Sequence, residues 1–325
     1  MWFAMTTGVI ILNFNNADAT IHCICSLEKY NTRPVKYIII DNGSGAESVE
    51  RLDGFFKSHF EGDYLKADIE DRPDQVSLPK VSFLLNPWNE GYAVGNNKGL
   101  AWAYSDDVIT RILLVNNDIL FTEDIIPRLE EDMQSLPGVG IITPLLLQKD
   151  GKTVDSCCAR RFVSNRNLMV PFLLHNRDIF GWITKHSRKQ HIIGTNPELL
   201  DAGTAFPIDY PSGSAMYFKK STFFDIDGFD NRTFLYYEEL ILYKKLKGKG
   251  LRSYCDPTIQ AIHLGGDSTR MSDNSFLQRC NLESADVYFR NYGEMTPTER
   301  IAWAVIRKSW EARLWLKKQI RRSSR

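Results

Sequence analysis

The residues that could do chemistry begin with the triplet Asn116-Asn117-Asp118, which directly follows the apolar run at residues 112–115. Such a run is typical of a strand buried on both faces of a parallel sheet. A carboxylate after that strand would emerge where open α/β sheets bind their ligands. Asn and Asp also dominate turns, so a plain strand-ending turn is the alternative. With Asp118 as a ligand, the triplet predicts a divalent metal site.

A second group with catalytic chemistry is the carboxylate pair Glu238-Glu239, which follows the aromatic run at residues 234–237. Aromatic surroundings would raise the pKa of a carboxylic acid toward values that suit a general base. Acidic side chains in the first turn of a helix also complement the helix dipole, which is the structural alternative. The pair is therefore a candidate for general base catalysis.

His263 ends a predicted strand at residues 258–263 and precedes a glycine-rich turn. An imidazole at a strand end could be a second metal ligand, although a structural role is common for a single histidine.

These groups must be positioned by the elements before them, and the first half of the chain alternates apolar runs with helical segments. The predicted strands and helices, in chain order, are 8–12, 17–30, 37–40, 47–60, 81–85, 92–104, 112–115 and 123–135. This βαβα order predicts a mostly parallel sheet covered by helices. Residues 61–80 are acidic, contain two prolines and show no clear period, so they are interpreted as an insertion between elements.

Polar loops follow four of the predicted strands, at ends that a parallel sheet brings to one edge. The loops are residues 13–16, 41–44, 86–92 and 116–118. A cleft of amide and carboxylate groups suits a nucleobase and a ribose. Asp41 could accept hydrogen bonds from an imide or from hydroxyls, while Asn13 and Asn97 offer both donors and acceptors. An Asx turn that caps the next helix is the alternative for Asp41.

The glycines do not form a phosphate loop, since neither GxxxxGK[ST] nor GxGxxG follows a strand. Gly91, Gly95 and Gly99 recur every four residues, which would allow close approach of a ligand or of packed backbone. A chain that binds a diphosphate without such a loop needs a divalent cation to neutralise its charge. Mn²⁺ or Mg²⁺ at Asp118 would meet that need.

From residue 148 to residue 211 the pattern gives way to short mixed pieces, which indicates a functional or mobile stretch. Arg160 and Arg161 in this stretch could bind a phosphate group, although paired arginines are also common on solvated surfaces. A strand is predicted at residues 214–218, and a helix from Glu238 to just before the glycines at 248–250.

The C-terminal segment, residues 297–325, is predicted to be a helix with Thr296 as N-cap and Pro297 at its first position. It interleaves tryptophan with cationic residues, namely Trp303, Trp310 and Trp315 with Arg300, Arg307, Lys308, Arg313, Lys317, Lys318, Arg321 and Arg322. That composition favours an anionic membrane surface. Because the apolar residues do not form one clean face of a helical wheel, packing on the main domain is the alternative.

Composition limits the classes of partner. The 325 residues carry 40 Lys and Arg against 40 Asp and Glu, a net charge of +0, so we expect no nucleic-acid partner. The six cysteines include no CxxC pair and no zinc spacing, which predicts reduced thiols in a cytoplasmic protein. The N-terminus lacks a basic signal-peptide region, and no apolar stretch is long enough to span a membrane, which predicts a soluble or peripherally bound protein.

Seven segments follow one another in an order that is more specific than any one of them. They read ILNFNN, IIIDNGS, NPWNEGYAVGNNKG, LLVNND, PSGSAMYFKK, GFDNRTFLYYEEL and IHLGGDS, within residues 7–269. In this order they resemble the inverting glycosyltransferases of family 2, which include bacterial rhamnosyltransferases and other cell-surface polysaccharide transferases. The resemblance implies the GT-A fold, a Rossmann-like α/β architecture with a mostly parallel sheet, followed here by a C-terminal helical extension.

The resemblance also implies the metal site and the base. The triplet at 116–118 matches the family's DXD-type motif, with Asp118 on the Mn²⁺ or Mg²⁺ of the donor diphosphate and Asn116 in place of the first Asp. Glu239 matches the catalytic Asp of the family's Glu-Asp pair, and Glu238 matches the preceding Glu. His263 matches a histidine that helps to hold the metal or the diphosphate.

Further site residues follow by position. The nucleotide-sugar contacts implied are Asn13, Asp41, Asn42, Asn89, Gly91, Asn97 and Asn117. The acceptor contacts expected are Ser212, Gly213, Arg160 and Arg161. One departure from the family pattern lies beside the base, where Ile241-Leu242 replaces a further Asp-Leu.

The implied function is transfer of a sugar, with inversion, from a UDP- or dTDP-sugar to a glycan or a polyprenyl-diphosphate-linked saccharide. Residues 1–270 would form the GT-A domain, with a donor half to about 145 and an acceptor and catalytic half from about 146, and residues 271–325 the extension. The expected location is the cytoplasm, at the inner face of the cell membrane. One alternative is a sugar-nucleotide nucleotidyltransferase, which would need a glycine- and lysine-rich loop after the first strand. The other is a non-catalytic nucleotide- or glycan-binding subunit with a decayed site.

Overall fold

A computed structural model describes residues 5–175, 189–265 and 274–323 of the chain. The strands in these ranges are β1 (Thr6–Asn13), β2 (Val35–Asn42), β3 (Tyr64–Asp68), β4 (Val81–Asn86), β5 (Ile109–Asn116), β6 (Ile119–Phe121), β7 (Val139–Gln148), β8 (Ala159–Arg160), β9 (Phe206–Ile208), β10 (Tyr210–Pro211), β11 (Ala215–Lys219) and β12 (Arg252–His263). The α-helices are α1 (Ala17–Tyr30), α2 (Ala46–His59), α3 (Gly91–Tyr104), α4 (Ile126–Ser135), α5 (Asn165–Leu173), α6 (Ile192–Thr195), α7 (Lys220–Asp225), α8 (Glu238–Gly248), α9 (Asn274–Asn291) and α10 (Pro297–Ser323). The predicted α/β class is confirmed.

Ten of these strands form one sheet, whose first half is parallel in the order β3-β4-β2-β1-β5. The register places Asn13 opposite Asp41 and Asn42 opposite Asn86. Leu12 of β1 lies opposite Asn116 of β5. The polar ends of four parallel strands therefore meet at one edge of the sheet, as the sequence predicts.

The second half of the sheet is mixed and carries the remaining site residues. Strand β11 runs antiparallel to β5 and β7, while β12 runs parallel to β7. The short β6 pairs antiparallel with the end of β12, which places His263 opposite Ile119. The strand after the Asp118 turn thus brings the end of β12 back to the same edge.

The core forms on both faces of the sheet because its central strands are apolar at nearly every position. In β1, Val9 and Ile11 pack in the cluster that also contains α1 and α2, while Ile10 packs in the cluster under α3. All three side chains are buried. This two-faced burial explains why the central strands are continuous apolar runs rather than alternating ones.

Several predicted boundaries are wrong. The segment at residues 61–80 contains the edge strand β3, whose residues are half-buried or exposed and so leave no apolar alternation to read. Strand β12 begins at Arg252, and α4 begins at Ile126 rather than at residue 123. The stretch at 148–211 includes the helix α5, which contains an internal Pro171 that weakens its signal.

The C-terminal helix α10 packs on the domain. Trp303 and Trp310 are buried in a cluster with Phe172 of α5 and Tyr288 of α9. Its N-cap is Thr296 as predicted, since the Glu299 N–H donates to the Thr296 hydroxyl at 3.3 Å. Within the described residues, no helix is both long and apolar enough to cross a membrane.

Candidate active site

The turn between β5 and β6 presents Asp118 at the carboxyl edge of the sheet. The Asp118 carbonyl accepts a hydrogen bond from the Leu264 N–H, one residue beyond β12, at 2.9 Å. The Asn116 N–H donates to the Ser214 carbonyl, also at 2.9 Å. Two backbone bonds thus hold together the ends of β5 and β12 and the segment that enters β11.

His263 stands between two carboxylates. Its Nδ1 is 2.7 Å from Oδ2 of Asp155, and its Nε2 is 3.4 Å from Oδ2 of Asp118. Burial lowers the pKa of the imidazole, but Asp118 and Asp155 outweigh burial and raise the pKa of His263 to about 9. Without a metal ion, His263 is therefore an imidazolium at neutral pH and offsets one of the two negative charges of this carboxylate pair.

Asp118 and His263 fit a divalent cation. A carboxylate oxygen and an imidazole nitrogen 3.4 Å apart can both reach one ion at coordination distances of about 2.1 Å. Asp155 engages Nδ1, which leaves Nε2, the nitrogen that faces Asp118, for coordination. In the part of the chain that the structure describes, no three His, Cys, Asp or Glu side chains are arranged to hold a metal. An ion at this pair would take its other ligands from a diphosphate or from water.

Glu239 is held at the first turn of α8 by two contacts to one of its oxygens. Oε1 accepts a hydrogen bond from the Gly213 N–H at 3.0 Å. The same oxygen lies 3.3 Å from a guanidinium nitrogen of Arg160. Because both contacts use Oε1, the second oxygen of this partly exposed side chain remains for a substrate.

Glu238 differs from its neighbour because it is buried. Its Oε1 has no hydrogen-bond partner, an unusual state for a buried carboxyl oxygen. Burial, and then the negative charge of Glu239, raise the pKa of Glu238 to about 8. At neutral pH Glu238 is therefore protonated, so the two adjacent residues do not both carry negative charge.

Glu238 should make the protein less stable as the pH rises from about 5 to 8. The folded protein holds a proton on Glu238 up to a pKa of about 8, whereas the unfolded chain releases it near 4.5. Between these values the folded state binds more protons, so the free energy of unfolding falls by about 1.4 kcal/mol per pH unit. Urea unfolding of wild type and of Glu238→Gln, at pH values of about 5.5, 6.5 and 7.5, tests this predicted loss of stability. The difference between the two should change with pH; a constant difference would contradict the assignment.

The residues before α8 adopt a strained backbone. Tyr236 and Tyr237 have φ angles of 75° and 69°, in the left-handed region that large side chains avoid. Such conformations cost about 1–3 kcal/mol each and persist where surrounding contacts impose them. Here Gly91 meets the same segment: a Cβ on Gly91 would lie 2.3 Å from the Phe234 carbonyl oxygen. The α3 N-terminus therefore fixes the segment that presents Glu238 and Glu239.

One cavity of about 470 Å³ connects these groups. Its polar wall includes Asp118, His263, Glu239 and Arg160. Its other wall is apolar and aromatic, formed by Leu168, Pro171, Phe172, Tyr236, Tyr237 and Leu240. Asp118 and His263, which fit a cation, thus face the same cavity as Glu239, the candidate base. The cavity has room for a polar substrate with an apolar part.

The acceptor residues expected from the sequence separate into two groups. Gly213 and Arg160 line the cavity, and the Arg160 guanidinium also stacks over the Tyr210 ring at 4.5 Å. Arg161 is exposed and lines a different cleft, because successive residues of an extended segment point to opposite sides. Ser212 is buried behind the cavity, where its hydroxyl donates to the Ser214 hydroxyl at 3.0 Å.

Asn13 and Asp41 form a buried hydrogen-bonded pair at the carboxyl ends of β1 and β2. The Asn13 amide donates to Asp41 Oδ2 at 2.8 Å and accepts from the Thr20 hydroxyl at 2.9 Å. The Ser44 N–H donates to Asp41 Oδ1 at 2.9 Å, a turn contact three residues on that does not cap α2, whose N-cap is Gly45. Asn13 is 0 % exposed and Asp41 2 %, so a ligand would require displacement of these bonds or contact through the loop.

Asn42, Asn89 and Gly91 make one loop network. The Asn42 amide donates to Asn89 Oδ1 at 3.0 Å and to the Gly91 carbonyl at 3.2 Å. The Gly91 N–H donates to the same Asn89 oxygen at 2.9 Å. These three residues set the shape of the loop between β4 and α3.

Asn97 and Asn117 do not join the cavity. The Asn97 amide exchanges hydrogen bonds with the Phe229 backbone at 2.9 Å in both directions, and it lines a separate cleft. The Asn117 amide donates to the Thr20 hydroxyl at 3.2 Å, which packs the triplet against α1. Alternation along the triplet explains the second case, since Asn116 and Asp118 line the cavity and Asn117 points away.

Three residues of the site escaped the sequence analysis. Asp155 orients His263, but nothing in its local sequence marks it, because the contact spans 108 positions. The Tyr92 hydroxyl donates to the Gly213 carbonyl at 2.7 Å, and burial holds the pKa of that phenol well above its usual value. Ser214 contacts Asn116 and His263 at 3.4 Å. Tyr92 and Ser214 lie within two of the seven segments quoted above, which is the signal that could have found them.

Comparisons with known proteins find a matching family model and several relatives. The sequence model of glycosyl transferase family 2 matches residues 8–176. An N-acetylglucosaminyl-diphospho-decaprenol L-rhamnosyltransferase of Mycobacterium tuberculosis is 24 % identical over 266 residues, 78 % of this chain and 74 % of that protein. The rhamnosyltransferase WbbL of Escherichia coli K12 is 24 % identical over 248 residues, 72 % of this chain and 85 % of that protein. None of these relatives supports a nucleotidyltransferase or a non-catalytic subunit.

Two solved structures share the fold. GalNAc-T7 with UDP, GalNAc and Mn²⁺ superposes with a TM-score of 0.59 at 13 % identity, over 89 % of this chain and 48 % of that one, about half its length. The mannosyltransferase PcManGT from Pyrobaculum calidifontis, in complex with GDP-Man and Mn²⁺, superposes with a TM-score of 0.52 at 13 % identity, over 97 % and 70 %. The predicted GT-A architecture is confirmed.

Proposed function

Because the chain belongs to glycosyl transferase family 2, we propose that it transfers a sugar, with inversion, from a nucleoside-diphosphate sugar to an acceptor hydroxyl. The observation that carries the proposal is the shared cavity, in which the Asp118 and His263 pair and the Glu239 carboxylate face one space. A leaving diphosphate and an attacking hydroxyl need those two kinds of group in one site.

Asp118 and His263 would hold a divalent cation, Mn²⁺ or Mg²⁺. When bound, the ion supplies charge neutralisation for the diphosphate as the bond to the sugar breaks. Asp155 keeps the coordinating nitrogen of His263 turned toward Asp118. The carboxyl edge of the sheet at Asp41 and the loop with Asn42, Asn89 and Gly91 would receive the nucleotide, with UDP and dTDP as the expected nucleotides.

Glu239 would act as the general base in a single displacement. The acceptor oxygen attacks the anomeric carbon, the bond from that carbon to the nucleoside diphosphate breaks, and the hydroxyl proton passes to Glu239. Gly213 and Arg160 contact Oε1, so Oε2 would be the oxygen that takes the proton. Attack from the side opposite the leaving group inverts the anomeric configuration.

The acceptor would be a saccharide on a lipid diphosphate, in the synthesis of a cell-surface polysaccharide. Arg160 is a cation at the cavity that could pair with a phosphate, and the apolar wall with Leu168 and Phe172 could contact the first part of a lipid chain. The mycobacterial relative is named for a decaprenol-diphosphate acceptor. With such an acceptor, we expect the protein to work in the cytoplasm, at the inner face of the cell membrane.

A donor screen tests the proposal. The full chain, with Mn²⁺ or Mg²⁺, is incubated with a panel of UDP-, dTDP- and GDP-sugars, and release of the nucleoside diphosphate is measured. We expect slow hydrolysis of one donor or a few related ones, abolished by a chelator and restored by the metal. Donor binding without any metal-dependent release, or no binding to any donor, would contradict the proposed function.

A further inference from the structure

The helix α10 has two apolar faces on opposite sides. Trp303, Ile306 and Trp310 form the face that is buried on the domain. At about 100° per residue, a second set falls within a sector of about 100° on the far side. This outer stripe consists of Ile301, Val305, Ala312, Trp315 and Leu316, and the exposed cation Lys308 lies in the same sector between Val305 and Ala312. Two opposite stripes explain why the sequence shows no single clean face.

The large side chains of the outer stripe are open to solvent. Ile301 is 67 % exposed, Val305 63 %, Trp315 58 % and Leu316 53 %. Single exposed apolar residues are ordinary on protein surfaces, but a row of four large ones along a single helix face is not. Such a row indicates a surface that is covered when the protein works.

The charge around the stripe is strongly positive. Residues 297–325 carry nine Lys and Arg against two Glu. Both acids are engaged, Glu299 with Arg166 at 3.2 Å and Glu311 with Arg307 at 3.0 Å. The side chains of the predicted cations Lys317, Lys318, Arg321 and Arg322 lie outside the described residues. An apolar stripe with tryptophan and an excess of cations matches the interface of an anionic bilayer.

The stripe belongs to a helix that lies directly behind the acceptor side of the cavity. Phe172 of α5 lines the cavity, and its carbonyl accepts a hydrogen bond from the Trp310 indole at 2.7 Å. Leu173, the last residue of α5, is 61 % exposed beside this contact. A membrane on the outer stripe would therefore be separated from the apolar wall of the cavity by the thickness of α10, about 10–12 Å.

We propose that the outer stripe of α10 docks the protein on the surface of an anionic membrane, with the helix lying in the interface. The Trp315 indole and the aliphatic side chains would enter the headgroup region, and the cations would contact lipid phosphates. Docking would present the cavity to an acceptor that stays in the bilayer, and this use of the surface rests on the proposed function.

Vesicle sedimentation of the full chain tests the docking surface. Vesicles of phosphatidylcholine with about 30 % phosphatidylglycerol are compared with phosphatidylcholine alone, for wild type, Val305→Ser/Trp315→Ser and the control Phe224→Ser. Phe224 is 73 % exposed on α7, so its loss removes a similar apolar surface elsewhere. We expect the double variant to bind anionic vesicles at least about tenfold more weakly, while the control binds like wild type.

Equal vesicle binding by wild type and the double variant would overturn the proposal, as would an equal loss in the control. Light scattering of the same samples measures the oligomeric state. If wild type is a dimer that does not bind vesicles, and the double variant is a monomer, the stripe contacts a second copy of the chain. That outcome would also overturn the membrane proposal. Donor hydrolysis is measured in parallel, in solution. Its absence bears on the proposed function alone, since the docking variants lie outside the cavity.

Discussion

Glu239→Gln should lower kcat by about 10²–10⁴-fold and leave donor affinity nearly unchanged. Glutamine has the same size and still offers an oxygen to the Gly213 N–H, which now lies 3.0 Å from Glu239 Oε1. It cannot take the proton of the acceptor hydroxyl, so only the chemical step should suffer. Single-turnover transfer gives the rate, and calorimetry with the donor and metal gives the affinity.

The matched control for this loss is Glu283→Gln, which removes an exposed carboxylate from α9 without touching the cavity. Its kcat should equal that of wild type. If Glu239→Gln also turned over at the wild-type rate, Glu239 would not be the base. A large loss of donor affinity would instead mean that Glu239 binds the donor.

Asp118→Asn should weaken metal-dependent donor binding by at least about 100-fold, because removal of even an outer partner of a metal ligand costs about 10–100-fold. The same reasoning gives Asp155→Asn a smaller loss, about 10–100-fold, since Asp155 acts through its 2.7 Å contact to His263. Titration calorimetry of UDP or dTDP, with Mn²⁺ and with chelator, separates the metal-dependent part of the affinity from the metal-independent part in each variant. Binding in chelator should be similar in all variants.

Asp201→Asn serves as the control for the metal experiment, because Asp201 is exposed and lies outside the cavity. It should bind Mn²⁺ and nucleotide like wild type. If Asp118→Asn retained the full metal dependence, the cation would be held elsewhere. If Asp155→Asn lost as much as Asp118→Asn, Asp155 would contribute more than orientation of the imidazole.

The parallel half of the fold could be predicted from the sequence because its information is local. The run at residues 112–115 is apolar at every position since both faces of β5 are covered, and the amphipathic segment at 17–30 matches α1 at both ends. Edge elements were less readable. Strand β3 is exposed along much of its length, so tertiary pairing with β4, rather than an apolar pattern, determines it.

The site residues show the same difference between local information and tertiary packing. Asp118 and Glu239 could be proposed from the sequence because one follows a buried strand and the other begins a helix. The separation of Arg160 from Arg161, and of Asn97 from the cavity, could not. Those outcomes depend on how β8 is turned and on where the loop with Phe229 packs against α3.

By itself, the sequence determined the fold class, the family resemblance and the residues proposed as metal ligand and base, because strand-end polarity and helix-start acidity are local signals. Only the tertiary structure decided the partners of those residues. Asp155 meets His263, Arg160 meets Glu239, and α10 covers one of its two apolar faces and leaves the other exposed. These contacts join residues far apart in the chain, and packing of the whole domain, rather than local propensity, selects them.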